Sequence, residues 1–259
     1  MFLEQLIEPF RSEALHVLRE RVADVDGFIA TSVYYADFMS KYLGIPTEKI
    51  HVVRLGIKLL GHGESANSPP EPPFVIGYLG RICPEKGLHL LVDAFMQLAR
   101  KPNPVKLKVA GYLSTRDREY FNRLVRRIHA SGLQHQFDYS GELSREQKIV
   151  FLNSLHVFSM PATYQEPKGL SVLEALANGV PVIQPNHGVF PEMLELTKGG
   201  ILVEPNSMDA LAEGITTLWK DANLRAQLGS QGKQSVHRLF SDSAMADATL
   251  QVFAQYVRI

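Results

Sequence analysis

Apolar residues along this chain fall into short continuous runs, separated by segments in which they recur every three or four positions. Residues 74–79 (Phe-Val-Ile-Gly-Tyr-Leu) form a near-continuous apolar run, the pattern of a strand buried on both faces of a parallel sheet. Leu88, Leu91, Phe95 and Leu98 follow helical spacing, and residues 107–110 are the next strand. Phe121, Leu124, Val125 and Ile128 share one face of a helix that Gly132 ends, and 137–140 is a short strand. Ser144-Arg145-Glu146-Gln147 reads as a capping box opening another helix. Strands follow at 156–160, 180–183 and 201–203. Ser207 caps a helix through Trp219, and the remainder is helical, with Met245, Leu250, Phe253 and Tyr256 on the last helix. Repeated β–α alternation with short connections predicts the α/β class: a doubly wound, Rossmann-like parallel sheet with C-terminal helices.

The first 60 residues are different. Residues 1–21 are mixed and amphipathic, 27–32 form a short apolar strand, and Ser32 caps a helix to about Leu43, which Gly44 and Pro46 end. Residues 50–53 are a second strand. These pieces cannot close a core alone, so 1–60 reads as the remnant of a larger domain. Residues 61–73 (Gly-His-Gly-Glu-Ser-Ala-Asn-Ser-Pro-Pro-Glu-Pro-Pro) are a linker by composition. The main domain then covers 74–240 and a C-terminal helix covers 241–259.

Composition narrows the function. With 27 basic and 27 acidic side chains, no global charge points to nucleic acid. A single cysteine, Cys83, excludes an intrachain disulfide and any CxxC metal site. No signal peptide and no long uncharged apolar run is visible, which gives a cytoplasmic expectation. Arg116, Arg118, Arg123, Arg126 and Arg127 concentrate positive charge on one helix, a solvated face or a surface for anionic lipid, so peripheral membrane association stays open. Asp24-Val25-Asp26 reads as surface, and none of the nine histidines forms a His-x3-His pair.

Two stretches carry candidate chemistry. The loop after the 74–79 strand reads Gly80-Arg81-Ile82-Cys83-Pro84-Glu85-Lys86-Gly87 and lies where open α/β sheets bind ligands. Arg81 and Lys86 suit a diphosphate, the guanidinium as a fork and the ammonium as a point charge; otherwise they are exposed loop cations. The second stretch, residues 164–177, is a loop carrying Glu166 and Gly169 that opens a helix bearing Glu174. Pro167 and Gly169 start that helix near Leu170, and Gly179 stops it. Its N-terminus offers backbone N–H groups to an anion. Two carboxylates at one corner also suggest a glycosidase pair, whose acids sit about 5–9.5 Å apart. Eight helical residues span about 12 Å, but the Pro167/Gly169 break keeps spacing from deciding. The Arg81/Lys86 loop is what a glycosidase would not need.

Together with Gly111 after the 107–110 strand, Gly141 after the 137–140 strand and Gly179-Val180-Pro181-Val182-Ile183 after the central helix, these two motifs resemble the retaining glycosyltransferases of the GT-B fold, family 4 (glycosyl transferases group 1). The resemblance covers about 74–219 strongly and 25–56 more weakly. It implies that 74–240 binds a UDP-, GDP- or ADP-sugar donor without a metal or other cofactor. Arg81 and Lys86 would neutralise the diphosphate, with Lys168 and the N–H groups near Gly169 and Leu170 in support, while Gly111 adjoins the donor. Glu174 would take the ribose hydroxyls, Glu166 would face the sugar ring, and Glu142 and Leu143 would line the base. Pro167 and Lys168 stand where the family often has Gly and Phe, and Val189 replaces a frequent second glycine in residues 188–192.

The same resemblance implies a missing acceptor-binding domain, so the chain is a truncated piece or draws that half from another polypeptide. Little transfer by the chain alone is the expectation, with the final helix leaving an apolar patch for homodimerisation. A non-catalytic nucleotide-sugar binding module and a GT-B nucleotide-sugar epimerase are the alternatives. Donor base, sugar and acceptor are left open.

Overall fold

A computed structural model describes residues 3, 6–63, 73–100 and 105–257. Most of the expected 61–73 linker therefore lies outside the described residues. The N-terminal part contains α1 (Phe10–Arg21), β1 (Phe28–Ala30), α2 (Val33–Leu43) and β2 (Ile50–Val52), with β1 and β2 paired in parallel. Ser32 caps α2 by accepting the Tyr35 N–H, and Gly44 ends it in the left-handed conformation. No residue of α1 is buried. Ile29, Val33 and Val52 are exposed, whereas Val22, Ala30, Ile45 and Val53 are buried.

The chain then builds a six-stranded parallel sheet from β3 (Phe74–Leu79), β4 (Val105–Ala110), β5 (Phe137–Tyr139), β6 (Val157–Phe158), β7 (Val182–Pro185) and β8 (Gly200–Val203). Their spatial order is β5-β4-β3-β6-β7-β8. Every residue of β3 is buried, which matches its uninterrupted apolar run. The helices between strands are α3 (Leu88–Leu98), α4 (Arg118–Ala130), α5 (Arg145–Asn153), α6 (Leu170–Ala177), α7 (Phe190–Thr197) and α8 (Met208–Lys220). The eighth is followed by α9 (Ala222–Leu239) and α10 (Asp242–Phe253). Helix α3 packs on α4 and α8, whereas α6 and α7 pack on α9, giving a helical layer on each side of the sheet. The capping box at Ser144 and Gln147 is formed in both directions.

Two expectations need correction. Helix α7 was not foreseen: residues 188–192 stand out in the sequence only for Val189 in place of a glycine, yet Phe190, Met193, Leu194 and Thr197 bury one face of a helix with proline in its first turn. The start of the linker is also packed. His62 is 4% exposed, Asn178 donates to its Nδ1 at 2.7 Å, and the Gly63 N–H donates to Asn178 Oδ1. Composition marked 61–73 as unable to pack, but tertiary partners on α5, α6 and α9 supply the contacts. Arg145 grips the Lys58 carbonyl at 2.9 Å and the Leu60 carbonyl, and Lys233 Nζ donates to the Gly63 carbonyl at 2.6 Å. Among the described residues no helix is long and apolar enough to cross a membrane. Leu250, Phe253, Tyr256 and Val257 are exposed at the C-terminal end. In the arginine-rich helix, Arg126 pairs with Glu119 and Arg127 with Asp93, which neutralises part of its charge.

Burial pushes His62 down to about 4, with Arg145, Lys148 and His237 adding repulsion and the Asn178 bond opposing them. In the unfolded chain a histidine takes up its proton near pH 6.5. Between those values the unfolded state binds more protons, so acid removes stability across that window. His62→Gln keeps an acceptor for Asn178 but cannot titrate. Urea unfolding at pH 7 and pH 4.5 should show a smaller loss for the variant than for the wild type; equal losses would exclude His62 as the cause.

Candidate functional site

Strand order reverses between β3 and β6, so the loops leaving those two strands flank a crevice at the carboxyl edge of the sheet. Two contacts press the loops together. The Thr163 N–H donates to the Glu85 carbonyl at 2.9 Å. Gly87, at φ 73°, lies so close to the second loop that a Cβ there would sit 1.8 Å from the Pro161 carbonyl oxygen. Only glycine meets both conditions. From the other side, the Val189 N–H donates to the Glu166 carbonyl at 2.9 Å.

This closure brings Lys86 to Glu166. Lys86 Nζ donates to Glu166 Oε2 at 2.5 Å and to the Tyr164 hydroxyl at 2.8 Å, and lies 5.1 Å from the centre of the Tyr164 ring. The Tyr164 hydroxyl in turn donates to the same Glu166 oxygen. Glu166 Oε1 faces the N–H groups of Lys168 at 3.3 Å and Gly169 at 3.4 Å. Glu166 itself is 5% exposed. Burial alone would raise its pKa; the Lys86 charge and the hydrogen bonds from Lys86, Tyr164 and Gly169 outweigh it and hold the carboxyl below its ordinary value. Tyr164 moves the other way, raised by burial and then by its bond to Glu166, so its phenol stays protonated.

Arg81 is exposed on the same loop. A contact with the Cys83 sulfur leads the influences that raise its pKa, and Glu85 and Tyr164 lie within its electrostatic reach. Cys83 is fully buried, and burial pushes its thiol up, which removes it from consideration as a nucleophile. Glu174 does not touch Glu166 through any hydrogen bond; its Oε1 accepts from Lys148 Nζ at 2.5 Å, both side chains being partly buried. Sequence reasoning missed Lys148, which nothing in the spacing of α5 and α6 singled out. It also missed a role for Tyr164, although residues two apart in extended chain share a side and the phenol precedes Glu166 by two.

The remaining expected positions divide. Gly111, at φ 133°, ties neighbouring loops: its N–H donates to the Gly141 carbonyl at 2.8 Å and its carbonyl accepts from the Tyr139 hydroxyl at 3.0 Å. The Gly169 amide expected to serve a diphosphate faces Glu166 instead. Leu170 is exposed at the start of α6. Glu142 is exposed, and Leu143 borders a groove of about 230 Å³ with Lys108, Asp138, Ser140 and Gln147. Lys168 borders a small cavity with Thr31, Arg54 and Glu192, where the N-terminal unit meets the main sheet. At that junction Glu192 accepts the N–H groups of Val33 at 3.1 Å and Tyr34 at 2.9 Å, and the Tyr34 hydroxyl donates to Gln165 at 2.7 Å. Asp24 and Asp26 are exposed, in line with a surface role. Among the described residues no group of three or more His, Cys, Asp and Glu side chains is arranged to hold a metal ion.

Residues 64–235 match the sequence profile of the family described as glycosyl transferases group 1. The chain belongs to that family. A relative in Staphylococcus aureus, the capsular polysaccharide biosynthesis glycosyltransferase CapM, is 31% identical over 188 residues, covering 71% of this chain and 47% of its own length. An uncharacterized glycosyltransferase of Methanocaldococcus jannaschii is 28% identical over 179 residues, covering 69% of this chain and 44% of its own. This group 1 chain thus spans about half the length of the curated relatives it matches. Among solved structures, Anabaena HepE in complex with UDP superposes with a TM-score of 0.84 at 22% identity, over 96% of this chain and 69% of that one. Sucrose-phosphate synthase of Thermosynechococcus elongatus superposes with a TM-score of 0.81 at 22% identity, over 98% of this chain and 65% of that one. The fold is therefore the Rossmann-like α/β fold of the GT-B structures.

Lys86 and Glu166 depend on each other for burial. Lys86→Ala strands an unpaired carboxylate and should cost about 3 kcal/mol at pH 7. Adding Glu166→Gln should recover more than half of that loss in urea unfolding. Additive losses in the double variant would show that the pair is not coupled.

Proposed function

We propose that this chain supplies the donor-binding half of an enzyme that transfers a hexosyl group from a nucleoside-diphosphate sugar to an acceptor, with retention of configuration. The observation that carries this reading is the meeting of Lys86 and Glu166 across the crevice where the sheet reverses. Any anion that takes Lys86 as its counterion must lie beside Glu166. Like charges repel, so the part of the ligand facing Glu166 is not phosphate. A nucleotide-sugar meets both demands, because its diphosphate is joined directly to a polyol ring.

On this reading Arg81 and Lys86 take the diphosphate, with the Lys168 side chain and the N–H group of Leu170 in support, while the Gly169 amide stays on Glu166. Glu174 exchanges Lys148 for the ribose hydroxyls. Leu143 and Glu142 border the base, and Gly111 holds the neighbouring loop in register. As the bond between the anomeric carbon and the diphosphate breaks, negative charge grows on the leaving oxygen, and the two cations stabilise it where water is scarce. Positive charge grows on the ring, and the Glu166 carboxylate answers it. The acceptor hydroxyl attacks from the face the diphosphate is leaving, and the departing phosphate oxygen takes its proton, so configuration is kept. No metal is needed for this charge balance. Related structures solved with UDP and glucose, and with UDP-glucose, supply the first probes.

Calorimetry with UDP, GDP and ADP tests the proposal, with the folding of each variant checked by circular dichroism. At least one diphosphate should bind the wild type. Lys86→Gln should weaken every diphosphate about tenfold or more, the loss of a charge-assisted contact. Glu174→Ala should weaken nucleoside and nucleoside diphosphate alike. Failure of all three to bind, or unchanged affinity in Lys86→Gln, would overturn the reading.

A further inference from the structure

The geometry points to Tyr164 as a positioning residue for the diphosphate: it fixes the Lys86 ammonium and the Glu166 carboxylate relative to each other before any ligand arrives. This rests on the reading of Lys86 as the counterion of a diphosphate. An ammonium has three N–H donors on a flexible four-carbon stem, and binding an anion ordinarily costs the entropy of ordering that stem. Here two of the three donors are engaged among the described residues, one on Glu166 and one on the Tyr164 hydroxyl. The ammonium lies 5.1 Å from the centre of the same ring, beside its hydroxyl edge. Both partners lie on the same side of the ammonium, so the remaining donor is turned the other way, where an incoming phosphate oxygen can use it.

The phenol also has a second duty. Its own proton goes to Glu166 Oε2, the same oxygen that Lys86 reaches. When a phosphate draws on the Lys86 charge, the carboxylate keeps the phenol O–H and the Lys168 and Gly169 amides, so it does not depend on Lys86 alone. Without the hydroxyl, Glu166 has Lys86 as its sole strong donor and competes with the ligand for it. Tyr164 therefore lowers the cost of sharing Lys86 from both ends. Because Tyr164 sits on the loop that closes against Glu85 through Thr163, its position is set by the backbone and not by the ligand.

Tyr164→Phe keeps the ring and removes the hydroxyl, and three readings on the full chain test the inference. In the ligand-free protein, the ¹³C-carboxyl titration of Glu166 should move to higher pH, because a donor to its ionised form is lost. Inorganic diphosphate, which needs no nucleoside pocket, should bind about fivefold more weakly by calorimetry, the loss of one hydrogen bond. In a Lys86→Gln background the same substitution should have no further effect, since there is no ammonium left to position. An unmoved Glu166 titration, an unchanged affinity, or an equal loss in the Lys86→Gln background would each overturn the inference, as would a wild type that does not bind inorganic diphosphate. A wild type that binds inorganic diphosphate but no nucleoside diphosphate sinks the donor reading alone and leaves the role of Tyr164 supported.

Discussion

A carboxylate with 5% of its surface exposed is tolerated in this protein because donors from separate parts of the chain converge on it. Lys86 comes from the loop after β3, Tyr164 from the loop after β6, and the Lys168 and Gly169 amides from the entry to α6. Moving any of these loops away would leave Glu166 charged and undersolvated, which is far more costly than losing an exposed ion pair. The shape of the crevice follows from that requirement. Gly87 against Pro161 and Val189 against Glu166 are the backbone contacts that let the loops come close enough to meet it.

The N-terminal unit is attached to the same loop by polar contacts, and Ile57, Tyr34 and Leu59 also pack on the apolar core of the main sheet. Tyr34 bonds Gln165, Thr31 reaches the Pro167 carbonyl at 3.5 Å, and Glu192 caps the start of α2 with both oxygens. Each of these neighbours the residues that surround Glu166. A second attachment runs along α5, α6 and α9, where Arg145, Asn178 and Lys233 hold residues 58–63. His62 lies among the cations of that strap, within electrostatic reach of Lys148, the partner of Glu174. The two carboxylates that the sequence singles out are thus each adjacent to one of these two attachments, and a third runs through Ile57, whose N–H donates to the Phe240 carbonyl at 2.8 Å.

The fold was legible to the extent that local pattern and burial coincide. Residues 74–79 read as a doubly buried strand because every position is apolar or glycine, and every position is buried. Ser32, Ser144 and Ser207 mark helix starts because a hydroxyl answering a first-turn N–H acts within three residues. Helix α7 escaped because it has no such cap: Val189 precedes it, and its start is held by the bond from Val189 to the Glu166 carbonyl. The packed start of the linker escaped for a related reason, since His62 is buried by side chains that lie far along the chain.

Sequence alone determined the class of fold, the order of elements apart from α7, and the two charged loops that the fold brings together, because strand burial, helix capping and glycine turns are properties of neighbouring residues. It named Arg81, Lys86, Glu166 and Glu174 as the charged side chains of those loops. Only the tertiary structure decided which charge meets which. Lys86 pairs with Glu166 and not with Arg81's surroundings, Glu174 pairs with Lys148 from another helix, and the Gly169 amide turns to an internal carboxylate. Those pairings are set by the reversal of strand order between β3 and β6 and by the close approach at Gly87. The physical reason is range: capping and periodicity act across a few residues, whereas the electrostatics of a buried pair depend on what the fold brings within 3 Å across 80 residues of chain.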